Sequence, residues 1–322
     1  MDVLSDVIAL MRTGSPRSAR VEWRAPWGQR FPSVPGSAGF QVVLRGSGWL
    51  IQPDGDPIAL SVGDVVFFPH GHGYAMADSP STPLAEPDCD PLDDGLGLFA
   101  SATVDGLGDG PASTVLLCGG YRLDPGRAHP ILRELPDLIH LPAGLGLHTE
   151  LRAAVEALGA EIQRPRLGAD TVVSSLLDLL LLYILRAWFE GEHGHCSVGG
   201  WAQALADPGI SAALDAVHRD PAHPWTVQEL GARAGLSRSA FSRRFSELIG
   251  RPPLAYLTWW RLATAAHLMR ASDAPLSQVA AKVGYTSEFA FANAFKREYG
   301  VAPGRYRREV CPAGFLAPAQ IG

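Results

Sequence analysis

The chain has 322 residues, of which 47% are hydrophobic and 19% are charged, a composition that excludes a disordered or fibrous protein. This length is sufficient for two domains that each bury a hydrophobic core. Residues 207–322 contain 14 Lys and Arg against 9 Asp and Glu, whereas residues 1–206 contain 13 against 24. A basic C-terminal third on an acidic body indicates a polyanionic partner for that third alone.

Neither secretion nor a membrane span is expected. The N-terminal residues lack the basic flank that precedes the apolar part of a secretion signal. The most apolar stretch, Val172–Phe189, contains two serines, Asp178 and Arg186, so a buried or dimer-forming helix is expected there. The cysteines are widely spaced, at Cys89, Cys118, Cys196 and Cys311. This spacing predicts neither a disulfide framework nor a zinc site, and we expect a cytoplasmic homodimer without membrane contact.

The segment Val21–Leu123 alternates short apolar runs with turn residues. Phe40–Leu44 precedes a glycine-containing turn at 45–48, and Val65–Phe68 follows Gly63 and Asp64. Strands at this spacing predict a β-barrel or a β-sandwich.

Two helices are predicted after these strands. Leu147–Ile162 has apolar residues at helical spacing, and Thr171–Glu190 is a second, strongly apolar helix. Such helices need a surface to cover, which is either the barrel wall or a second subunit. Gly191–Gly200 then has the composition of a linker.

The C-terminal third contains an internal repeat of about fifty residues. Equivalent positions in its two units are Leu230 and Val279, Gly235 and Gly284, Phe245 and Phe295, and Pro253 and Pro303. Each unit has the signature of a helix-turn-helix, because Gly235 or Gly284 permits a left-handed turn between two helices. Ser237, and Thr286 or Ser287, can cap the helix that follows the turn. The next helices carry phenylalanine pairs that can anchor them to a core, Phe241 with Phe245 and Phe291 with Phe295.

A plain array of helical hairpins would use the same glycines and anchors, but two units in register in the basic third favour DNA binding. Val227–Arg307 resembles the C-terminal DNA-binding domain of the AraC/XylS family of transcription regulators. The connecting helix Pro253–Ala271 belongs to the resemblance, as do the Gly-Tyr-x-Ser and Phe-Lys-Arg-x-x-Gly-x-x-Pro runs. The resemblance implies double-stranded DNA and RNA polymerase as partners. It places the DNA-binding domain at 207–310, its helix-turn-helix motifs at about 227–247 and 276–298, and a tail at 311–322.

In this family the exposed positions of the two recognition helices read bases. These positions are Arg238, Ser239, Ser242 and Arg243 in the first helix, and Glu288, Phe289, Ala292 and Asn293 in the second. Arg243 suits a guanine edge and Asn293 an adenine edge. Other basic residues are candidates for phosphate contact or for solubility alone, namely Arg244, Arg251, Lys296, Arg297, Arg305, Arg307 and Arg308.

Segments at 23–28, 44–50 and 60–69 resemble the cupin-like sensor domain of one AraC subgroup, which implies such a domain over 1–195. The usual positions of cupin metal ligands hold Gln41 and Tyr74, with His70 and His72 beside them. We therefore expect neither a metal nor another cofactor. The predicted fold is α+β, with an N-terminal cupin-like β-barrel followed by helices, and then an all-α C-terminal domain with two helix-turn-helix motifs.

A regulator with such a domain is expected to respond to a small-molecule effector or to a redox signal. Strand alternation gives a candidate pocket lined by Phe40, Val42, Trp49, Ile51, Val66, Phe68 and Tyr74. The same aromatic residues are equally suited to an ordinary packed core. Cys89 and Cys118 are the candidate redox pair. A metal-dependent cupin enzyme fused to a DNA-binding domain is one alternative, but Gln41 and Tyr74 argue against it, and we predict no enzymatic activity. A second alternative is a regulator whose N-terminal domain binds only a partner protein.

Overall fold

The computed structural model describes residues 3–11, 16–86, 97–104, 112–123, 129–144, 148–191 and 200–310. The chain divides into two units. One, called here the N-terminal unit, is Met11–Cys196, and the other, the C-terminal unit, combines Met1–Leu10 with Ser197–Gly322. Most of the expected linker, residues 192–199, lies outside the described residues.

The N-terminal unit is built from strands that follow one another closely in the chain. They are β1 (Arg17–Arg24), β2 (Gly28–Phe31), β3 (Ser37–Arg45), β4 (Ser47–Ile51), β5 (Ile58–Ser61), β6 (Val65–Phe68), β7 (Tyr74–Ala77), β8 (Phe99–Val104), β9 (Ala112–Arg122) and β10 (Ile139–Leu141). Within the described ranges they form a six-stranded sheet in the order β10-β6-β3-β9-β1-β8 and a four-stranded sheet in the order β2-β7-β4-β5. The β1–β8 pair is parallel and the other pairs are antiparallel.

The two sheets do not close into the barrel that the sequence predicted, although the α+β class is confirmed. The chain crosses from one sheet to the other at Gly46, which separates β3 from β4 and has a φ of +79°. A side chain at Gly46 would collide with the Ser113 carbonyl, so the corner requires glycine. Because this corner turns the chain sharply, β3 and β4 belong to different sheets instead of sharing one ladder. Apolar residues fill the space between the sheets, among them Trp23, Trp27, Val43, Leu50, Leu60, Val66, Phe68, Met76 and Leu116.

The two predicted helices are present as α3 (Thr149–Gln163) and α4 (Ala169–Glu190), and a short helix that was not predicted, α2 (Pro130–Arg133), precedes β10. The Tyr121 hydroxyl on β9 donates a 2.7 Å hydrogen bond to the Leu177 carbonyl and ties α4 to the six-stranded sheet. Among the described helices, α4 is long and apolar enough to cross a membrane by length and composition alone. This is weak evidence for a span, because a core helix passes the same test, and Val173, Leu177 and Leu180 of α4 are buried inside the protein.

Helices are the only regular secondary structure in the described part of the C-terminal unit. Its helices are α1 (Val3–Met11), α5 (Trp201–Ala206), α6 (Pro208–Arg219), α7 (Val227–Arg233), α8 (Arg238–Ile249), α9 (Pro253–Ala271), α10 (Leu276–Lys282), α11 (Glu288–Tyr299) and α12 (Pro303–Val310). Unexpectedly, α1 is part of this unit. Val3, Val7 and Leu10 are buried, and the Arg270 guanidinium donates a 3.1 Å hydrogen bond to the Leu10 carbonyl.

His218 on α6 lies under α1 in a fully buried position. Its imidazole stacks on Trp260 with ring centroids 3.6 Å apart, and Nε2 lies 2.7 Å from the Tyr256 hydroxyl. Nδ1 lies 3.5 Å from a carboxylate oxygen of Asp6. Burial lowers the pKa of His218 below its ordinary value, and Asp6 and Asp215 oppose that shift only in part. The neutral imidazole is therefore the form that the fold favours.

We expect the stability of the C-terminal unit to fall as the pH drops below about 6.5. The unfolded chain binds a proton at His218 at a higher pH than the folded chain does, so acid favours unfolding between the two pKa values. Each proton taken up on unfolding gives a slope of about 1.4 kcal/mol per pH unit. Urea unfolding at several pH values measures the slope, and the His218→Gln variant should lose the His218 part of it. An identical slope in both proteins would mean that other groups, such as the half-buried His267, cause the acid sensitivity.

Candidate nucleic-acid interface

The first helix-turn-helix consists of α7 and α8. Thr226 and Glu229 form a capping box at the start of α7, with reciprocal hydrogen bonds of 2.8 and 3.1 Å between each side chain and the other backbone N–H. The Thr226 N–H also lowers the pKa of the Glu229 carboxyl. Gly235 makes the turn with a φ of +68°, and the Ser237 hydroxyl accepts from the Ala240 N–H to start α8. These are the turn and cap residues that the sequence predicted.

The second helix-turn-helix, α10 and α11, repeats this construction. Gly284 turns the chain with a φ of +83°, and the Ser287 hydroxyl caps α11 by accepting from the Ala290 N–H. Ser287, rather than Thr286, is therefore the cap. The two motifs agree with the predicted ranges to within two residues at every end.

Aromatic anchors hold each recognition helix on the core. Phe241 and Phe245 on α8 are buried, and so are Phe291 and Phe295 on α11. Phe295 stacks on Tyr299 at a centroid distance of 4.0 Å and meets Tyr306 edge-on. This packing buries one face of each recognition helix, and the opposite face is exposed to solvent.

Arg261 on α9 connects the two motifs, and nothing in the local sequence pattern predicted its role. Its guanidinium donates hydrogen bonds to the carbonyls of Pro221, at 2.6 Å, and His223, at 2.8 Å. The loop held in this way lies against the turn of the second motif, because a Cβ on Gly284 would lie 2.7 Å from the Ala222 carbonyl oxygen. Gly284 is thus required both by its φ and by this close approach. We call this arrangement the Arg261 clamp.

The residues predicted to read bases lie on the free faces of the recognition helices. On α8, Ser242 is half-buried and the other three are exposed, and the Arg243 guanidinium lies 3.9 Å from the Glu247 carboxylate. On α11, Ala292 is half-buried, and Glu288, Phe289 and Asn293 are exposed. Phe289 is 77% exposed, which is unusual for a large aromatic side chain. Each motif therefore presents its predicted set to solvent on one helix.

The predicted phosphate contacts divide into two groups. Arg244 pairs with Asp207 at 3.2 Å, Arg251 stacks over Trp259, and Arg307 donates a 2.6 Å hydrogen bond to the Ala274 carbonyl. These three side chains already stabilise the fold through contacts within the unit. Lys296, Arg297 and Arg308 are exposed, and so is Arg305, which also takes part in a contact within the protein.

The structure does not bring the seven predicted pocket residues together. In the β3–β6 ladder Gln41 pairs with Val66, so these two residues face the space between the sheets. Phe40 and Val42, one residue to either side of Gln41, must face the opposite side of the sheet. There Phe40 packs against Tyr121. Strand alternation predicted which residues of one strand share a face, but it could not predict which faces of different strands are paired together.

The same alternation separates the remaining members of the set. Leu50 points into the space between the sheets, so Trp49 and Ile51 face outward. Phe68 and Tyr74 do meet inside, with ring centroids 3.8 Å apart. The Gln41 amide donates a 2.9 Å hydrogen bond to the Tyr74 hydroxyl, whose burial raises its pKa well above the ordinary value. Only Val66, Phe68 and Tyr74 of the set therefore share the interior.

Residues at and beside the cupin ligand positions are engaged in other contacts. Gln41 and Tyr74 bond to each other, His70 bonds the Leu135 carbonyl at 2.9 Å, and His72 lies 3.3 Å from Asp137. The described ranges contain no group of three or more His, Cys, Asp or Glu placed to hold a metal ion.

The redox prediction can be placed only in part. The partly buried thiol of Cys118 on β9 donates a 3.4 Å hydrogen bond to the Ala19 carbonyl. Cys89, Cys196 and Cys311 lie outside the described residues.

Comparison with known proteins agrees with this architecture. Residues 2–190 match the Cupin family model, and residues 230–309 match the model of a helix-turn-helix domain. An AraC-like transcription regulator of Streptomyces antibioticus is 35% identical over 318 residues, covering 97% of this chain and 100% of that protein. The HTH-type transcriptional regulator AlkR of Acinetobacter baylyi is 30% identical, covering 83% of this chain and 87% of its own.

The chain is also similar to a solved structure, that of the DNA-binding domain of AdpA, a global transcriptional factor, in complex with a target DNA. It is 34% identical to this chain, with a TM-score of 0.31, and the match covers 34% of this chain and 99% of that one. Two helix-turn-helix motifs behind a cupin domain, together with full-length relatives, define the class. The chain belongs to the AraC family of DNA-binding transcription regulators that carry an N-terminal cupin domain.

Proposed function

We propose that the protein binds its operator with α8 and α11 in two successive major grooves on one face of the DNA. The observation that carries this proposal is the Arg261 clamp, which ties the loop before α7 to the turn between α10 and α11. A fixed connection between the motifs favours simultaneous insertion of both helices, because little conformational freedom is lost on binding. Base readout falls to the exposed residues on the two free faces, with Arg243 and Asn293 as hydrogen-bonding readers.

The exposed cations Lys296, Arg297, Arg305 and Arg308 are proposed as phosphate contacts. Selection of bound duplexes from random DNA by the full-length protein, followed by titrations at several salt concentrations, tests this proposal. Affinity should fall with salt at a logarithmic slope of about −0.9 for each phosphate that is neutralised. Binding without sequence preference would refute specific readout, and a slope near zero would refute the phosphate contacts.

The N-terminal unit is proposed to be a sensor rather than an enzyme. Its interior contains buried polar atoms that have no hydrogen-bond partner among the described residues, namely Gln41 Oε1, Trp23 Nε1 and Trp27 Nε1. Unpaired buried groups are costly, and a small molecule with complementary polar atoms would relieve that cost. Such an effector acts by binding one arrangement of the protein better than another. A redox signal through Cys118 and Cys89 is the second candidate.

Substitution separates the two signals. A Tyr74→Ala variant that folds and keeps operator affinity should lose its response to a small-molecule inducer. Loss of the response in Cys118→Ser, but not in Tyr74→Ala, would favour oxidation instead. RNA polymerase is the proposed protein partner through which binding in the cytoplasm alters transcription.

The protein is also proposed to form a homodimer through the outer face of α4. Val172 and Leu179 on this face are each 41% exposed, and Leu176 and Tyr183 beside them are half-buried. These four residues follow the i, i+4, i+7 and i+11 spacing of one helical stripe. An apolar stripe on a single helix can pair with its own copy across a twofold axis.

Leu179→Glu is expected to convert the dimer to a monomer at micromolar concentration, because the new carboxylate would be buried without a partner. Sedimentation velocity measures the change. Val62→Glu is the matched control, since Val62 is an exposed apolar residue of the same unit and lies outside α4. A wild-type protein that is monomeric at micromolar concentration would remove the dimer from the proposal.

A further inference from the structure

The two recognition helices present chemically different surfaces. Position by position, α11 has Phe289 where α8 has Ser239, and Ala292 where α8 has Ser242. Two hydroxyl-bearing positions of one motif are therefore apolar in the other. The first helix offers hydrogen-bonding groups at these positions, and the second offers hydrocarbon.

The fold buries little of the Phe289 side chain. Phe291 and Phe295 on the same helix are fully buried, whereas Phe289 is 77% exposed. An exposed aromatic ring is unfavourable in the free protein, because its apolar surface remains in contact with water. Its helical position explains what can cover it: Asn293 and Lys296 follow at i+4 and i+7, so Phe289 shares the face that carries a base reader and an exposed cation.

Only one apolar group is offered by base edges in the major groove, the C5-methyl of thymine. Asn293 on the same stripe suits the N6 and N7 edge of adenine, which is the partner of thymine. Both side chains thus favour A·T pairs. We propose that α11 recognises thymines in its half-site, with the Phe289 ring and the Ala292 methyl packing on their C5-methyl groups. This inference rests on the proposed function.

The test replaces thymine by uracil, which removes the methyl and leaves the Watson–Crick edge intact. Duplexes are taken from sequences selected by the full-length protein, and each thymine of the α11 half-site is replaced in turn. Binding is measured by fluorescence anisotropy. The wild-type protein should lose about fourfold in affinity for each contacted methyl, the loss expected for one methyl-sized group.

Compared with the wild-type protein, Phe289→Ala should bind the thymine duplex more weakly. Its affinity for the duplex with uracil at the contacted position should be almost the same as that of the wild-type protein. The ratio of the two affinities should therefore approach one. Phe289→Leu should keep part of the ratio, because it keeps an apolar side chain. Val62→Ala removes an exposed apolar side chain from the other unit and should keep the whole ratio. Melting curves of the variants check that the fold is intact, as expected for an exposed position.

Sequence-selective binding that ignores the thymine-to-uracil change at every position would overturn the inference while leaving the proposed function standing. Equal losses on both duplexes in Phe289→Ala would do the same. If Phe289→Ala alters transcription but not DNA binding, the ring contacts a protein and the inference is wrong. Failure of the wild-type protein to select any sequence would instead count against the proposed function.

Discussion

Phe291→Ala is expected to lower the free energy of unfolding of the C-terminal unit by about 3–5 kcal/mol, as for other buried aromatic truncations. Phe291 is fully buried in a cluster that joins α9, α10, α11 and α12. Its ring packs on Phe295 and meets Tyr285 edge-on, so truncation leaves a cavity under the recognition helix. Urea unfolding of the full-length protein measures the loss.

Phe289→Ala provides the matched control, since it makes the same substitution two residues away on the same helix. Because Phe289 is exposed, this change should alter stability by less than about 0.5 kcal/mol. The two variants separate the effect of core packing from that of DNA contact. Phe291→Ala should mainly lower the free energy of unfolding, and Phe289→Ala should lower only the affinity for DNA. Similar losses of stability in both variants would mean that α11 is not oriented as described.

Arg243→Ala is expected to cost about 1–3 kcal/mol of operator binding free energy, as for loss of one bidentate base contact. The Arg243 side chain is 79% exposed on α8, and its Nε lies 3.9 Å from the Glu247 carboxylate, at the long end of an ion pair. Removal of one base reader should also relax the sequence preference at one base pair. Selection from random DNA with the variant, compared with the wild-type protein, measures the relaxed position.

Arg297→Ala is the comparison variant, because Arg297 is an exposed cation on α11 that is proposed to contact phosphate. Its loss should weaken binding to all sequences about equally and reduce the salt slope by about one. A change in base preference for Arg297→Ala, together with a uniform loss for Arg243→Ala, would reverse the two assignments.

Most of the DNA-binding fold was predictable because its determinants are local. Gly235, Ser237 and Phe241 lie within a few residues of one another, and so do their counterparts in the second motif. Left-handed turns, side-chain caps and helical spacing depend on short stretches of chain. A repeated set of such signals therefore located both motifs to within two residues.

Features that depend on distant residues were missed. Arg261 reaches carbonyls about forty positions away, and α1 packs beside residues more than two hundred positions away. No local pattern encodes such contacts. The prediction of which residues line the interior of the N-terminal unit failed for a related reason. The alternation along each strand was clear, but the pairing of Gln41 with Val66 depends on the register between strands. Whether the strands close into a barrel likewise depends on pairing between distant strands, and they form two separate sheets instead.

Hydroxyl-radical footprinting of the full-length protein on a selected operator tests the central claim most directly. Two helices inserted in successive major grooves should protect two segments about one helical turn, or 10 base pairs, apart on the same face. Gly284→Val, which cannot adopt the turn beside Ala222 without strain, should weaken protection of one segment more than the other. A single protected segment in the wild-type protein would contradict the proposal that both motifs bind together.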